Sequence, residues 1–250
     1  MDSDQLVLVT GGSRGIGAAT AVAAARRGWS VLLTYRSNAG SAQSVVDQCT
    51  ELGVRAGAVQ FEAADLDAIE PLFAEVDGFG VPLRGLVNNA GISTRPSTVA
   101  DMSAERISST IVINSVSPMI VARNAVHRMA TSRGGSGGAI VNVSSRLSDL
   151  GAPGRHVDYA ASKAAVDGFT RGLGREVAGD GIRVNGVRPG VIDTEIHASI
   201  GEPDRARQMA GMIPMGRPGR AEEVADAIVW LLSDESSYIS ACLIEVSGGR

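Results

Sequence analysis

Short apolar runs alternate along the chain with longer stretches of helical length. The runs are "LVLVT" (6–10), "SVLLTY" (30–35), "AGAVQFEA" (56–63), "GLVNNAG" (85–91), "GAIVNVSS" (138–145), "IRVNGVRPG" (182–190) and "CLIEVSG" (242–248). Most lack strict apolar–polar alternation, as strands buried on both faces do. Segments 15–27, 40–52, 67–77, 103–131, 159–178 and 221–233 fall between or beside them and read as helices. Strand and helix in turn predict a doubly wound α/β fold, a seven-stranded parallel sheet with helices on both faces. The "GGSGG" at 134–138 lies between a helix and a strand, so it reads as a turn, and residues 1–250 read as a single domain.

The stretch "TGGSRGIG" (10–17) joins the first strand to an alanine-rich helix. A strand that turns sharply into a helix needs residues that tolerate positive φ and leave room for a ligand, and Gly11, Gly15 and Gly17 meet that need. Ser13, Arg14 and Ile16 share the turn. The free amides and positive end of the helix suit a pyrophosphate. The spacing departs from the G-x-G-x-x-G fingerprint, since Thr20 stands where a third glycine would, and no Walker lysine follows. On this segment alone, a glycine-rich turn without a ligand is the competing reading.

Further along stand Asn88-Asn89-Ala90-Gly91, Asn114, Ser145, Tyr159-x-x-x-Lys163 and Pro189-Gly190. Together with Thr-Gly-x-x-x-Gly-x-Gly after the first strand, this ordered set resembles the short-chain dehydrogenases/reductases over essentially the whole chain. It looks most like bacterial sugar-dehydrogenase-like and 3-oxoacyl-carrier-protein-reductase-like members. The resemblance implies a Rossmann-type domain that moves hydride between nicotinamide and a small-molecule carbonyl or secondary alcohol. The other reading kept open is a non-catalytic dinucleotide-binding regulator or redox sensor on the same fold.

Tyr159 and Lys163 are four apart, so on a helix they share a face. A neighbouring ammonium favours the phenolate and lowers the tyrosine pKa from near ~10, so that Tyr159 can exchange a proton with a substrate oxygen. Ser145, closing a strand, would hold that oxygen; Ser144 and Ser148 are the alternatives. Ser145 precedes Tyr159 by fourteen positions, one more than many family members show. By resemblance, Lys163 also contacts the nicotinamide ribose and Asn114 holds a water linking the lysine to solvent. By resemblance too, Asp65 and Leu66 meet the adenine, and Asn89, Ala90 and Gly91 border its pocket. Pro189, Gly190, Ile192 and Thr194 would bound the nicotinamide side. His156 and His197 are candidates to touch substrate.

An NAD-preferring site usually places an acid at the end of the second strand. Here that strand ends "TYRSN", and Arg14 and Arg36 could converge on a 2′-phosphate, which points to NADP(H) over NAD(H). Substrate selectivity is expected in 93–102, 146–157 and 194–216.

Composition bounds the rest. A net charge of −4, with 44% hydrophobic and 20% charged residues, is that of a soluble globular protein with no general attraction to nucleic acid. No apolar run is long enough to span a membrane. Cys49 and Cys242 read as reduced thiols, and no metal-ligand spacing links them to a histidine. With no basic leader in "MDSDQ", a cytoplasmic location is expected. The resemblance further implies a homotetramer or homodimer built on helices 103–131 and 159–178.

Overall fold

The computed structural model describes residues 5–195 and 201–250. Seven parallel strands form one sheet in the order β3-β2-β1-β4-β5-β6-β9. They are β1 (Leu6–Val9), β2 (Ser30–Tyr35), β3 (Ala56–Gln60), β4 (Leu83–Asn88), β5 (Gly138–Val143), β6 (Ile182–Pro189) and β9 (Leu243–Val246). All seven strands expected from the apolar runs are present, most of them shorter at the carboxyl end. Between β6 and β9, the short strands β7 (Ile192–Asp193) and β8 (Gly219–Arg220) pair as a separate two-stranded sheet, which the sequence pattern did not disclose.

β1 explains why the strands read as continuously apolar. Its four residues are wholly buried, yet they alternate between two cores. Val7 and Val9 join the layer formed with α1 (Gly15–Arg26), α2 (Ala39–Glu51) and the late helix Ala221–Leu232. Leu6 and Leu8 join the layer formed with α3 (Ile69–Gly78) and α5 (Ser117–Met129). α7 (Val157–Glu176) lies on this second face and adds Phe169 and Leu173 to it. Helices on both faces leave β1 no solvent side, so each of its positions is apolar.

The segment expected as one helix over 103–131 is broken. α4 (Ala104–Ile111) passes through a π-helical turn, Val112–Val116, into α5. Pro118, near the start of α5, has no N–H to return to the carbonyl four residues back. A wider turn just before it absorbs the mismatch, and such turns are often found at functional positions. It is this turn that carries Asn114.

Because the strands are parallel, the loops after Val9, Tyr35, Gln60, Asn88, Val143 and Pro189 gather at one edge. The loop after β1 lies where the strand order reverses, the usual ligand crevice of such sheets. Among the described residues, no helix is long and apolar enough to cross a membrane, and no group of His, Cys, Asp and Glu could hold a metal ion.

Candidate active site

The glycine loop is built by close approach. Gly11 and Gly15 hold φ of +65° and +54°, which glycine adopts without penalty. A β-carbon on Gly17 would stand 2.2 Å from the Gly11 carbonyl oxygen and 2.5 Å from Asn89 Nδ2. Asn89 Nδ2 donates to the carbonyls of Thr10 and Gly11, both at 3.0 Å. Thr10 Oγ1 in turn accepts from the amides of Asn89 and Ala90, both at 3.0 Å. The "NNAG" segment therefore braces the loop, and Thr10, which opens the glycine motif, is the brace's other half. Its signal was a lone polar residue closing an apolar strand.

α1 makes its first return bond from Ala18 N to Arg14 O, leaving the amides of Gly15, Ile16 and Gly17 outside the helix ladder. A positive-φ turn, a cradle that side chains would fill and free amides at a helix N-terminus fit a dinucleotide pyrophosphate. Thr194 closes this mouth, its Cγ2 lying 3.5 Å from where a Gly15 β-carbon would be. Ile192 is buried beneath. A β-carbon on Gly190 would meet Ser247 Cα at 2.8 Å, so this glycine lets the loop after β6 pass the chain's last strand. Ser13 is half-buried and Arg14 exposed. Asp65 is exposed, and its Oδ1 accepts from Asp67 N at 3.1 Å, capping the short turn that begins at Leu66.

Across the mouth of the loop lie the four residues expected to do chemistry. Lys163 and Tyr159 share a face of α7, with Lys163 Nζ 5.8 Å from the centre of the Tyr159 ring. Lys163 Nζ donates to the Val143 carbonyl at 2.8 Å. Ser145, just past β5, stands beside the Tyr159 hydroxyl and acts to lower its pKa. The neighbouring serines are otherwise engaged: Ser144 Oγ donates to the Lys163 carbonyl at 3.2 Å and Ser148 Oγ to the Ser145 carbonyl at 2.7 Å. Asn114 accepts from Ile92 N at 2.8 Å, and its Nδ2 donates to Ile92 O at 3.0 Å and Ser162 Oγ at 3.1 Å. It thus ties the loop after β4 to α7. A β-carbon on Gly91 would lie 3.1 Å from Asn114 Oδ1 and 3.5 Å from Lys163 Nζ, so Gly91 keeps this approach open.

Burial pushes the Tyr159 hydroxyl up from its ordinary value, and it is the Ser145 hydrogen bond that opposes this. The ammonium of Lys163 lies 5.8 Å from the centre of that ring. Burial pushes Lys163 itself down to about 8, with Asp167 acting in the opposite direction. Lys163 is also the one lysine in a chain whose other cationic side chains, histidines aside, are arginines.

The three segments expected to select substrate meet one another. Ser97 N donates to Arg155 O at 2.9 Å, and Arg155 Nη2 reaches both oxygens of Glu202 at 2.6 and 2.7 Å. Arg106 from α4 donates to both oxygens of buried Asp158 and to Arg95 O, fixing the start of α7 beside Tyr159. This clamp was not foreseen, since its partners are 52 residues apart. His156 stands just before α7 without a side-chain cap bond; it is buried, its Nδ1 has no hydrogen-bond partner, and burial pushes its pKa down. His197 lies outside the described residues.

A doubly wound sheet with a glycine loop at its switch point, and a Tyr–Lys helix beside it, defines a dinucleotide-type oxidoreductase scaffold. Residues 11–250 match the family model described as enoyl-(acyl carrier protein) reductase. The chain is 51% identical over 245 residues to the uncharacterized oxidoreductase YgfF of Escherichia coli (strain K12), covering 98% of this chain and 99% of that one. It is 34% identical to the 3-oxoacyl-[acyl-carrier-protein] reductase FabG of Staphylococcus aureus (strain Mu50), covering 100% of this chain and 99% of that one. A crystal structure of a dehydrogenase/reductase from Sinorhizobium meliloti 1021 superposes with a TM-score of 0.89 at 33% identity, over 99% of this chain and 95% of that one. The chain belongs to the short-chain dehydrogenase/reductase family.

Proposed function

We propose that this chain is an NADP(H)-dependent oxidoreductase that interconverts a carbonyl and a secondary alcohol, working as one domain over residues 1–250. The observation that carries the reading is the meeting of Tyr159, Ser145 and Lys163 at the edge that also holds the braced glycine loop. Nicotinamide, when bound, would supply or take the hydride. Tyr159 gives or takes the proton at the substrate oxygen, and Ser145, beside the tyrosine hydroxyl, orients that oxygen. Lys163 spends one N–H on the Val143 carbonyl, which leaves two for ribose hydroxyls. Asn114 holds the loop after β4 at the distance this requires. Gly11, Ser13, Arg14, Gly15, Ile16 and Gly17 cradle the pyrophosphate. Asp65, Leu66, Asn89, Ala90 and Gly91 flank the adenosine, and Pro189, Gly190, Ile192 and Thr194 flank the nicotinamide.

The NADP(H) preference is supported by Arg14 and Arg36, both exposed, and by the lack of an acid at the end of β2. The Arg36–Glu62 pair is long, at 3.7 Å, and both side chains are well exposed, so a 2′-phosphate can displace it. Two free cysteines fit a reducing, cytoplasmic setting. A symmetric dimer or tetramer is supported by α7, where nothing lies within 4 Å of a β-carbon built on Gly168 or Gly172. Gly174, further along the same helix, packs inside the chain against Ala241 and the Val184 carbonyl. Light scattering tests the assembly, and a monomer at micromolar concentration overturns it.

Sugars, steroids, 3-oxoacyl thioesters and small ketones should be assayed by NADPH absorbance with wild type and Tyr159→Phe. Turnover that survives Tyr159→Phe overturns the mechanism.

A further inference from the structure

Tyr159, Lys163 and Asp167 follow one another at four-residue spacing along one face of α7. Asp167 is 3% exposed. Arg188, on β6 immediately before Pro189, donates Nε at 3.0 Å and Nη2 at 2.7 Å, both to Asp167 Oδ2. Oδ1 is buried and has no hydrogen-bond partner. A carboxylate bonded through one oxygen only, inside the protein, is costly unless a second positive charge offsets it. That charge stands one turn back: Lys163 is itself buried, and its own protein hydrogen bond goes to a neutral carbonyl.

We infer that Asp167 is a positioning residue for the Tyr159–Lys163 pair: anchored by Arg188, its buried carboxylate is the counter-charge that keeps Lys163 an ammonium ion. The inference rests on reading Tyr159 and Lys163 as the proton-transfer pair. A neutral lysine would lose a proton that the ribose hydroxyls and the nascent phenolate both need. Burial works against the charged form, and Asp167 is the group that works for it.

The other charges nearby act elsewhere. On α7, Arg171 bears on Asp149. From β9, Glu245 touches Arg188 and Arg146. Arg146 and Asp149 pair with each other beside α6 (Leu147–Leu150). From α4, Arg106 is held by Asp158. The π-helical turn offers only the neutral amide of Asn114, and β5 only neutral groups. Of all these, Asp167 is the charge that bears on Lys163.

A purely mechanical role, bolting α7 to β6 through Arg188, is the competing account, and the lone lysine separates the two. Protein grown on [ε-13C]lysine gives one side-chain resonance, whose shift against pH reports the charge of Lys163. The wild-type midpoint is expected near about 8. Asp167→Asn is expected to lower it by about one pH unit or more, the effect of losing a close opposite charge. Should Asp167→Asn fold poorly because Arg188 is stranded, the double variant Asp167→Asn/Arg188→Gln removes both charges, and its midpoint is expected below that of Arg188→Gln alone. An unchanged midpoint in either comparison overturns the proposal. The resonance titrates whether or not a substrate is known, so failure of the oxidoreductase reading leaves this test intact. With a substrate, Asp167→Asn is expected to lose about fivefold or more in kcat at pH 8 and to recover it towards pH 6; an equal loss at both pH values marks a bolt and overturns the proposal.

Discussion

Arg36 and Glu62 face each other just past the ends of β2 and β3, with Arg36 Nε 3.7 Å from Glu62 Oε2. The guanidinium expected to receive a 2′-phosphate is thus already held at that edge by an acid from the neighbouring strand's end. Arg36→Ala or Arg14→Ala is expected to weaken NADPH by roughly one to two orders of magnitude and to leave NADH nearly unchanged, since a charge-assisted hydrogen bond contributes about 1.5–3 kcal/mol. Glu62→Gln is expected to tighten NADPH by up to about fivefold, as an exposed pair contributes under about 1 kcal/mol. Fluorescence titration with both cofactors reads these effects. Equal losses for NADPH and NADH would return the preference to NAD(H) or to none.

Tyr159→Phe removes the hydroxyl beside Ser145 while keeping the ring near Lys163. Turnover is expected to fall by at least ~100-fold, the lower range for a lost general acid. NADPH affinity should change little, as the ring and Lys163 remain. Steady-state kinetics and a cofactor titration on the same sample separate the two, and a parallel loss of both would point to misfolding instead.

Gly17→Ala forces a methyl to within 2.2 Å of the Gly11 carbonyl unless the loop moves. The loop cannot shift without breaking the Asn89 bonds to Thr10 and Gly11. Overpacking of this kind typically costs about 1–3 kcal/mol. The expected outcome is a lower Tm and loss of both NADPH and NADH binding, in contrast to the arginine variants. Normal binding of either cofactor by a folded Gly17→Ala protein would refute the cradle.

Burial of the Lys163 ammonium makes a pH-dependent stability effect. Folding brings the group from its ordinary 10.5 down to about 8. Below pH 8 it is protonated in both states, and the folded state carries the full penalty, on the order of 3 kcal/mol. Between about 8 and 10.5 the folded state releases its proton first, so the penalty fades as pH rises. Wild type is therefore expected to gain stability relative to Lys163→Met between pH 7 and pH 10. Denaturant midpoints at the two pH values check this, and a difference that does not move with pH contradicts it.

The parallel sheet was legible because burial on both faces forces an unbroken apolar run; β1 alternates between two cores and still shows no polar position. The glycine loop and the Tyr159–Lys163 pair were legible because they are local, held within one turn or one helical repeat. The break in helix 103–131 was harder to see, although Pro118 marks it, because a proline early in a helix is also an ordinary start. Nothing in the local pattern of Asp158 or Asp167 named Arg106 or Arg188 as partner, for each pair is made by packing α7 against another element. The same holds for Thr10 and Asn89, and for Arg36 and Glu62. Backbone conformation and apolar periodicity act over a few residues and are written along the chain. Charge pairing and the depth at which Tyr159 and Lys163 lie depend on which surfaces close over them, and those exist only after the sheet and helices have packed.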